Sequence, residues 1–293
     1  MKIVLASQSP RRRQLLGQMG LEFTTQSPEI DEAAFQGRDA RDLVQILSRE
    51  KARWIAGQVD PETLVIGADT VVVRDGEILG KPKGEEEARA MLADPLMILV
   101  NHTNKMPENY TFETAECGSK TAVNKTLQTE AADAFLAMQA AAAKDGVTIW
   151  MQSGYRSVDY QKNLYDKKTQ YFRNKGLSEA EAKKQAANIV NPPGYSEHNC
   201  GLAADLNSPE HTDLTEGFEN TEAFRWLSAH AVEYGFILRY PKNAEAVTEI
   251  TYEPWHWRYV GPENAALIQQ SGLCFEDAVA VLQKLAAGEK ITG

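Results

Sequence analysis

Four side chains in the second half of this chain have the types that a catalytic metal centre needs. His198 and Asp205 lie seven residues apart, and Glu253 and His256 lie three residues apart. Two imidazoles and one carboxylate supply three protein ligands, which leaves the fourth position of a tetrahedral zinc ion open for water. Zinc lowers the pKa of that water, and a nearby carboxylate that is not a ligand accepts its proton. We therefore expect a zinc hydrolase centre in which His198, Asp205 and His256 bind the metal and Glu253 is the general base.

The surroundings of Asp205 favour this assignment. The residue lies within the apolar stretch Leu-Ala-Ala-Asp-Leu at 202 to 206. A buried carboxylate is costly unless a cation or hydrogen bonds compensate it, and a metal ion supplies that compensation. Taken singly, His198 and His256 are better explained as ordinary, partly buried histidines. The combination of all four groups is what favours a metal site.

A further candidate is Arg156, in Ser-Gly-Tyr-Arg-Ser at 153 to 157, at the end of a predicted strand. A guanidinium group stays protonated and binds carboxylates and oxyanions in a bidentate manner. Arg156 therefore suits either a substrate carboxylate or a tetrahedral intermediate. Cys200 lies two residues from His198 and would close the site as a fourth ligand, so we expect it to be a small buried residue instead.

The composition limits the partners of the protein. The 293 residues, 25% of them charged, suggest two globular domains, and the net charge of −10 comes without any block of like charge. Nucleic-acid binding needs clustered lysine and arginine, so we expect no nucleic-acid partner. No stretch has the roughly 18 apolar residues of a membrane helix, and the first residues lack the apolar region of a secretory signal. The three cysteines, Cys117, Cys200 and Cys274, are widely spaced in the sequence. We therefore expect a cytoplasmic protein with reduced thiols.

The first 95 residues predict α/β structure. Short buried strands alternate with helices, and a tight turn at Asp75-Gly76 joins two of the strands. We predict strands over residues 2–6, 64–66, 71–73 and 77–79, and helices over residues 10–19, 43–56 and 85–92. Asp94-Pro95 then interrupts the pattern, and we place a domain boundary between residues 95 and 96.

Residues 96–293 predict an α+β domain with a small antiparallel sheet flanked by helices. An alanine-rich stretch predicts a helix over residues 129–144, and a Pro-Pro-Gly break at 192 to 194 follows the predicted elements up to residue 189. Further helices are predicted over residues 159–175, 179–189 and 221–234, and strands over residues 148–152, 202–206, 236–239 and 256–260.

Several motifs of this second segment resemble those of the VanY-type D-alanyl-D-alanine carboxypeptidases, which are zinc peptidases related to VanX. The resemblance covers about residues 96 to 283. It runs through Leu-Val-Asn at 99 to 101, Ser-Gly-Tyr-Arg-Ser at 153 to 157, Gln161, Ser-Glu-His and Gly-Leu-Ala-Ala-Asp between 196 and 205, Tyr-Gly-Phe-Ile-Leu-Arg-Tyr-Pro at 234 to 241, and Glu-Pro-Trp-His-Trp-Arg-Tyr-Val-Gly at 253 to 261.

The resemblance implies a zinc D,D-carboxypeptidase with one metal ion. The implied roles are zinc binding by His198, Asp205 and His256, general base catalysis by Glu253, transition-state stabilisation by Arg156, and binding of the C-terminal end of the peptide by Ser196 and Gln161. Ser196 and Gln161 are also explained as caps of a turn or a helix. The implied reaction is hydrolysis of the last peptide bond of a peptidoglycan stem peptide or precursor, with release of D-alanine.

The first segment indicates a second chemistry. Ser9 and Pro10 are typical of the first residues of a helix, and Arg11 and Arg12 follow them. The free N–H groups at such a helix start bind anions, and basic residues there favour an anion site over a plain surface helix. Asp69 follows a buried strand, where both metal-binding carboxylates and turn-forming residues are common.

This first segment resembles the Maf family of nucleoside triphosphate pyrophosphatases. The shared motifs are Leu-Ala-Ser-Gln-Ser-Pro-Arg-Arg at 5 to 12, Ile-Asp-Glu at 30 to 32, Lys-Ala at 51 to 52, Ile-Gly-Ala-Asp-Thr-Val-Val at 66 to 72, and Gly-Lys-Pro at 80 to 82. The resemblance implies that basic residues face the triphosphate of the substrate, namely Arg11, Arg12, Lys51 and Lys81. It also implies that Asp69, together with Glu32, takes part in an attack by water that Mg²⁺ assists.

The Maf-like resemblance ends near Leu92, so the later half of that domain is absent. We therefore expect no pyrophosphatase activity. An incomplete sheet exposes strand edges and apolar surface, which favours self-association of the chain. Two explanations of the junction remain open: a natural fusion with a vestigial or docking segment, or the joining of two reading frames by a deletion or a mistaken gene assembly.

Three functions remain for comparison. A zinc D,D-carboxypeptidase predicts bound zinc and a release of D-alanine that chelators inhibit. A nucleotide pyrophosphatase predicts release of pyrophosphate that depends on Asp69. A cell-wall peptide-binding module would keep the metal without turnover, and the presence of Glu253 speaks against it. The sequence favours the carboxypeptidase.

Overall fold

The computed structural model describes residues 2–7, 9, 12–13, 16–17, 19–35, 39–69, 71–74, 77–79, 85–119 and 122–288. The chain divides into two compact units, one of Met1–Lys81 with Gln269–Leu273 and the other of Pro82–Ile268 with Cys274–Gly293. Residues 82–95 are thus grouped with the second unit. The domain boundary expected between residues 95 and 96 stays a prediction.

The first unit has α/β structure, as the sequence predicts. Its elements are the strands β1 (Ile3–Leu5), β2 (Thr24–Thr25), β3 (Leu64–Ile66), β4 (Val72–Arg74) and β5 (Glu77–Leu79), a 3₁₀ helix over Glu32–Phe35, and the helix α1 (Ala40–Ala56). β1 pairs in parallel with both of its neighbours, in the order β2-β1-β3. β4 and β5 pair antiparallel, and the predicted turn at Asp75-Gly76 between them lies outside the described residues.

Helix α1 supplies part of the core of this unit. Leu47, Lys51 and Ile55 are buried and follow each other at intervals of four residues, which places them on one face of the helix. Ile55 forms a small apolar core together with Val4 and Ala6. Residues 12–13 and 16–17, inside the predicted helix over residues 10–19, are helical.

The second unit is an α+β domain, also in agreement with the prediction. Its helices are α2 (Glu85–Ala93), α3 (Thr129–Lys144), α4 (Val158–Asn174), α5 (Glu179–Ala187), α6 (Glu222–His230), α7 (Glu245–Thr248), α8 (Pro262–Ser271, of which residues 269–271 are grouped with the first unit) and α9 (Phe275–Ala286). Its strands are β6 (Thr114–Glu116), β7 (Thr126–Gln128), β8 (Trp150–Ser153), β9 (Ala203–Asn207), β10 (Phe236–Leu238) and β11 (His256–Tyr259). 3₁₀ helices lie over Pro95–Met97, Glu197–Cys200, Glu216–Asn220 and Ala231–Tyr234.

Four of these strands form an antiparallel sheet in the order β10-β11-β9-β8. Successive side chains of a strand point to opposite faces. Ala204, Leu206 and Trp257 belong to the apolar core, whereas Asp205 and His256 alternate with them along β9 and β11. The sheet therefore has one face that is packed into the core and one that carries ionisable groups.

Helix α3 packs into the same core as the apolar face of the sheet. Phe135, Met138 and Ala142 of this helix are fully buried and share one cluster with Leu206 and Trp257. The helix has the bounds that the alanine-rich stretch predicts, from Thr129 to Lys144. Burial of one apolar stripe against the sheet, added to the high helix propensity of alanine, explains why this prediction is accurate.

Helices α2 and α9, far apart in the sequence, pack against each other. Arg89 of α2 donates a hydrogen bond from Nε to the backbone carbonyl of Ala286 at a distance of 2.9 Å. Asn264 of α8 donates from Nδ2 to Oδ2 of Asp94, also at 2.9 Å. The residues just before the predicted boundary are therefore bound to the C-terminal helices.

The sequence predictions did not include α7, α8, α9 or the hairpin of β6 and β7. No helix in the described part of the chain is, by itself, both long enough and apolar enough to cross a membrane. The bent pair of α8 and α9, which meet at 97°, satisfies these two conditions only when the helices are taken together.

A substitution at Gly201 tests how tightly the 3₁₀ helix over Glu197–Cys200 is anchored. Gly201 follows this helix with a φ of 67°, and a Cβ there would lie 2.8 Å from Cε2 of Phe112. Gly146 has a φ of 81° and no atom within 4 Å of its Cβ position, so it is a matched control. We expect Gly146→Ala to lower the free energy of unfolding by about 1 kcal/mol and Gly201→Ala by about 2–4 kcal/mol, because steric overlap adds to backbone strain.

Urea denaturation followed by circular dichroism measures both losses. Equal losses for the two variants would show that the contact with Phe112 does not constrain this turn.

Candidate metal centre

Strand pairing brings Asp205 and His256 together. The two residues lie opposite each other in the antiparallel register of β9 and β11, and Ser153 of β8 lies on the other side of Asp205. Residues that face each other across antiparallel strands have their Cβ atoms about 4.5–5.5 Å apart. Nδ1 of His256 accordingly lies 3.3 Å from Oδ1 of Asp205.

The 3₁₀ helix over Glu197–Cys200 carries His198 to the other oxygen of the same carboxylate. Nδ1 of His198 is hydrogen-bonded to the backbone carbonyl of Gly154 at 2.7 Å, and Nε2 lies 3.3 Å from Oδ2 of Asp205. A carbonyl oxygen only accepts hydrogen bonds, so the proton of a neutral His198 is on Nδ1. Nε2 is then left with its lone pair directed at Asp205.

These three side chains form a group that is suited to a metal ion. Donor atoms of His198, Asp205 and His256 all lie within 4.8 Å of one another, and the three residues are buried. Donors bonded to one zinc ion at about 2.0–2.2 Å in a tetrahedron are separated by roughly 3.4 Å. Oδ1 of Asp205 is buried and has no hydrogen-bond partner among the described residues, so a cation would satisfy it.

The electrostatics of the group also suit a cation. Burial raises the pKa of Asp205, but His198, His256 and Arg156 outweigh burial and hold this pKa well below its usual range. Burial and the charge of Arg156 lower the pKa of His198, which favours the neutral imidazole that binds metals. Burial lowers the pKa of His256, but Asp205 and Glu197 outweigh this effect and raise it to about 9. A metal ion bound by His256 would therefore displace a proton.

Glu253 lies beside this group without being one of the three donors. Its Oε2 is 3.5 Å from Nδ1 of His256, and its side chain is 22% exposed, in contrast to the buried donors. The backbone N–H of Glu253 donates to the carbonyl of Tyr240, and the backbone N–H of His256 donates to the carbonyl of Glu253. Burial raises the pKa of Glu253 to about 7. A carboxylate with such a pKa can accept a proton and release it near neutral pH.

Arg156 reaches the same carboxylate from the end of β8. Its Nη2 donates to Oδ2 of Asp205 at 2.7 Å, and its Nε donates to Oγ of Ser153 at 3.1 Å. Its backbone N–H donates to the carbonyl of His198, and its own carbonyl accepts from Nδ2 of Asn199 at 2.7 Å. The guanidinium is thus fixed beside the candidate metal centre with further N–H groups available.

The binding of the C-terminal end of a peptide by Ser196 and Gln161 stays a prediction. Ser196 is buried immediately before the 3₁₀ helix, and its side chain makes no cap hydrogen bond. Gln161 is buried in α4 and donates from Nε2 to the carbonyl of Asn191 at 2.7 Å. Its Oε1 has no hydrogen-bond partner among the described residues.

Sequence reasoning missed one ionisable group beside the centre, Glu197. Its Oε2 lies 3.5 Å from Nε2 of His256. Burial raises the pKa of Glu197, but Arg239 and Arg258 outweigh burial and keep this pKa below its usual range. The available signal was the position of this glutamate directly before His198, a predicted metal ligand.

A separate polar cluster lies in the first unit. Asp69 accepts from Nη2 of Arg12 at 2.9 Å and from Nζ of Lys51 at 2.8 Å. Nζ of Lys51 also lies 2.7 Å from Oε1 of Glu32. Four of the six residues predicted for the first unit are therefore in contact. The other two, Arg11 and Lys81, lie outside the described residues.

Comparison with known proteins relates the second unit to a group of peptidases. A family model described as "VanY: D-alanyl-D-alanine carboxypeptidase" matches residues 124–262. The chain is 35% identical over 199 residues to the D-alanyl-D-alanine carboxypeptidase of Enterococcus faecalis (strain ATCC 700802 / V583), a match that covers 67% of this chain and 68% of the relative.

Solved structures of this group are also similar. VanYB in complex with D-alanine-D-alanine has a TM-score of 0.55 and 35% identity, and the match covers 63% of this chain and 97% of that chain. A mutant of the vancomycin resistance D,D-pentapeptidase VanY in complex with Zn(II) has a TM-score of 0.54 and 35% identity, with 62% and 98% covered.

A second family model, described as Maf-like protein, matches residues 2–96. Over 91 residues, the chain is 50% identical to a dTTP/UTP pyrophosphatase of Anaeromyxobacter dehalogenans (strain 2CP-C). The match covers 31% of this chain and 44% of that relative. The chain thus spans less than half the length of this pyrophosphatase.

Substitution of Asp205 tests whether the three donors bind a metal ion. Two imidazoles with one carboxylate suit zinc, so we expect zinc to raise the melting temperature of the purified chain after treatment with a chelator. Asp205→Asn should weaken zinc binding about 100-fold or more, since even partners of the ligands contribute 10- to 100-fold. Isothermal titration calorimetry measures the affinity, and Asp213→Asn, at an exposed position, is the control. Equal affinities for the two variants would exclude Asp205 as a ligand.

Proposed function

The chain belongs to the VanY family of D-alanyl-D-alanine carboxypeptidases, and from this premise we propose that its second unit hydrolyses the C-terminal D-alanine peptide bond of peptidoglycan stem peptides or their precursors. The observation that carries the proposal is the approach of His198, Asp205 and His256 to within 4.8 Å of one another, beside Glu253 and Arg156. The arrangement supports a metallopeptidase, because it unites metal donors, a base and an oxyanion-binding group.

The donor set supports one zinc ion for each peptidase unit, held by His198, Asp205 and His256. When bound, zinc lowers the pKa of water towards neutrality and polarises the carbonyl of the scissile bond. The two histidines offer different nitrogens, since Nε2 of His198 and Nδ1 of His256 face Asp205. The hydrogen bond from Nδ1 of His198 to Gly154 fixes the orientation of the first imidazole.

Glu253 is the proposed general base. It is the carboxylate beside the donors that is partly exposed to solvent, so a substrate and a water molecule can reach it. It accepts a proton from the attacking water at a carboxylate oxygen and passes this proton to the nitrogen of the leaving D-alanine. Burial raises the pKa of Glu253, which favours uptake of the proton before its transfer to the leaving nitrogen.

Arg156 is the proposed oxyanion-binding group. One of its N–H groups binds Asp205 and another binds Ser153, which leaves the remaining donors of the guanidinium for the developing negative charge on the carbonyl oxygen. Charge-assisted hydrogen bonds of this kind stabilise the transition state more than the ground state. Ser196 and Gln161 are proposed to bind the C-terminal end of the peptide. Oε1 of Gln161, which has no hydrogen-bond partner among the described residues, can accept from a peptide N–H there but not bind the terminal carboxylate.

The conservative variant Glu253→Gln tests the mechanism. The amide keeps the shape of the side chain but does not accept the proton, so we expect kcat to fall about 10²- to 10⁴-fold while zinc binding is retained. Release of D-alanine from a pentapeptide that ends in D-alanyl-D-alanine, and from the dipeptide itself, is measured with a coupled oxidase. Loss of zinc together with activity would assign Glu253 to the ligands instead, and undiminished turnover would remove it from the mechanism.

For the first unit, we propose that pyrophosphatase activity is absent. The cluster of Arg12, Lys51, Asp69 and Glu32 is present, but the chain spans 44% of the length of the matching pyrophosphatase. Asp69 is compensated by two cations, Arg12 and Lys51. Within the described residues, β2 and β3 end the parallel sheet, and their outer edges support the proposal that this unit self-associates.

Incubation of the full chain with dTTP, UTP and Mg²⁺ tests this proposal. We expect no more pyrophosphate than Asp69→Asn releases, because the residues of the absent half are needed to complete the site. Pyrophosphate release that disappears in Asp69→Asn would contradict the proposal and show that the remaining half is sufficient.

A further inference from the structure

Four charged side chains that the mechanism does not use form a network that reaches the candidate metal centre through Glu197: Glu197, Arg239, Arg258 and Glu276. The side chains of Glu197, Arg239 and Arg258 are 0% exposed, and that of Glu276 is 10% exposed. Arg239 donates from Nε to Oε1 of Glu197 at 2.7 Å and binds both carboxylate oxygens of Glu276. Nη1 of Arg258 lies 3.2 Å from the same Oε1 of Glu197.

Both arginines are themselves firmly held. Nη2 of Arg258 donates to the carbonyls of Leu96 and Ile98, each at 2.9 Å. The guanidinium of Arg239 lies 4.7 Å from the ring centre of Tyr240 and 5.1 Å from that of Phe275. Buried ion pairs add little stability compared with apolar residues of the same size, but they fix the geometry of the groups that they join. The network therefore fixes the carboxylate of Glu197 in one orientation.

The second oxygen of this carboxylate is directed at the metal centre. Oε2 of Glu197 lies 3.5 Å from Nε2 of His256. Both atoms are buried, and neither has a hydrogen-bond partner among the described residues. A movement of a few tenths of an ångström would make them a hydrogen bond, and buried polar groups are rarely left without one. A proton on Nε2 leaves Nδ1 of His256, on the side of Asp205, free to bind a cation.

We propose that Glu197 is a positioning residue that holds the imidazole of His256 through Nε2 and so presents Nδ1 to the metal. The inference rests on the proposed zinc peptidase function. Glu197 does not touch the substrate or the metal and acts only through His256. The effect is that of a carboxylate partner of a metal-binding histidine, which orients the ring and raises its basicity.

Two variants of the full chain test separately the length of the Glu197 side chain and its charge. Glu197→Asp keeps the charge that Arg239 and Arg258 need but withdraws the carboxylate from His256 by one methylene. Glu197→Gln keeps the reach but replaces the carboxylate with a neutral amide. We expect each variant to bind zinc about 10- to 100-fold more weakly, and the visible spectrum of the Co²⁺-substituted protein to change.

Zinc affinity is measured by competition with a chromophoric chelator, on samples whose circular dichroism matches that of the unmodified chain. Glu233→Gln is the matched control, because Glu233 makes a similar contact with His230 at 3.0 Å but on the surface. It should leave the affinity unchanged. An unchanged zinc affinity and Co²⁺ spectrum in either folded Glu197 variant overturns the proposal. A merely structural role would lower the melting temperature without changing these two properties.

The unmodified chain provides a measurement that does not depend on the folding of the variants. In the ¹⁵N-labelled, zinc-loaded protein, the Nε2 proton of His256 should resonate at low field and exchange slowly, as a proton bound to a carboxylate does. Exchange as fast as that of the exposed His230 overturns the proposal. An unmodified chain that neither binds zinc nor releases D-alanine contradicts the proposed function itself, whereas unchanged variants of an active chain contradict only the role of Glu197.

Discussion

The burial of one carboxylate, that of Asp205, is the constraint on which the peptidase unit depends. Asp205 occupies the middle of β9, all five residues of which are buried. Withdrawal of an ion from water costs several kcal/mol even after relaxation, roughly the whole stability of a small domain. Two neighbouring elements compensate this charge, since β11 supplies His256 and the loop after β8 supplies Arg156. A 3₁₀ helix adds His198, a neutral donor that would share a cation with Asp205. The contacts that compensate the buried carboxylate are therefore the same contacts that assemble the candidate metal centre.

The two histidines contact different groups, which shifts their pKa values in opposite directions. His198 is held through Nδ1 by a neutral backbone carbonyl, that of Gly154. His256 lies between two carboxylates, with Asp205 at one ring nitrogen and Glu197 at the other. The pKa values diverge accordingly, since burial and Arg156 lower that of His198, while the two carboxylates outweigh burial and raise that of His256. His256 is thus the more basic of the two imidazoles, although both contact Asp205.

The candidate residues of this site could be predicted from the sequence where residue types and local patterns indicate their chemistry. The apolar frame of Asp205 predicts β9, whereas the position of His256 opposite Asp205 follows from the register of β9 and β11, which depends on the tertiary fold. The partners of Glu197 could not be predicted in this way, because Arg239 and Arg258 follow it by many residues and their burial depends on the tertiary fold. The strands β6 and β7, Thr-Ala-Glu and Thr-Leu-Gln, contain one large apolar side chain between them and lack the apolar run that identifies β3.

The end of the Maf-like match and the division between the two compact units lie at different residues. The last residues of the match contact the peptidase unit, in part through the ion-pair network. The Maf-like match extends to residue 96, whereas the N-terminal part of the compact first unit ends at Lys81. Between them, α2 packs against α9, and the carbonyl of Leu96 accepts a hydrogen bond from Arg258. Arg258 contacts Glu197, which faces His256. Residues 85–96, which match the Maf-like family, therefore pack within the peptidase unit. A fragment that begins after residue 96 lacks these contacts, whereas a fragment that begins at Pro82 retains them.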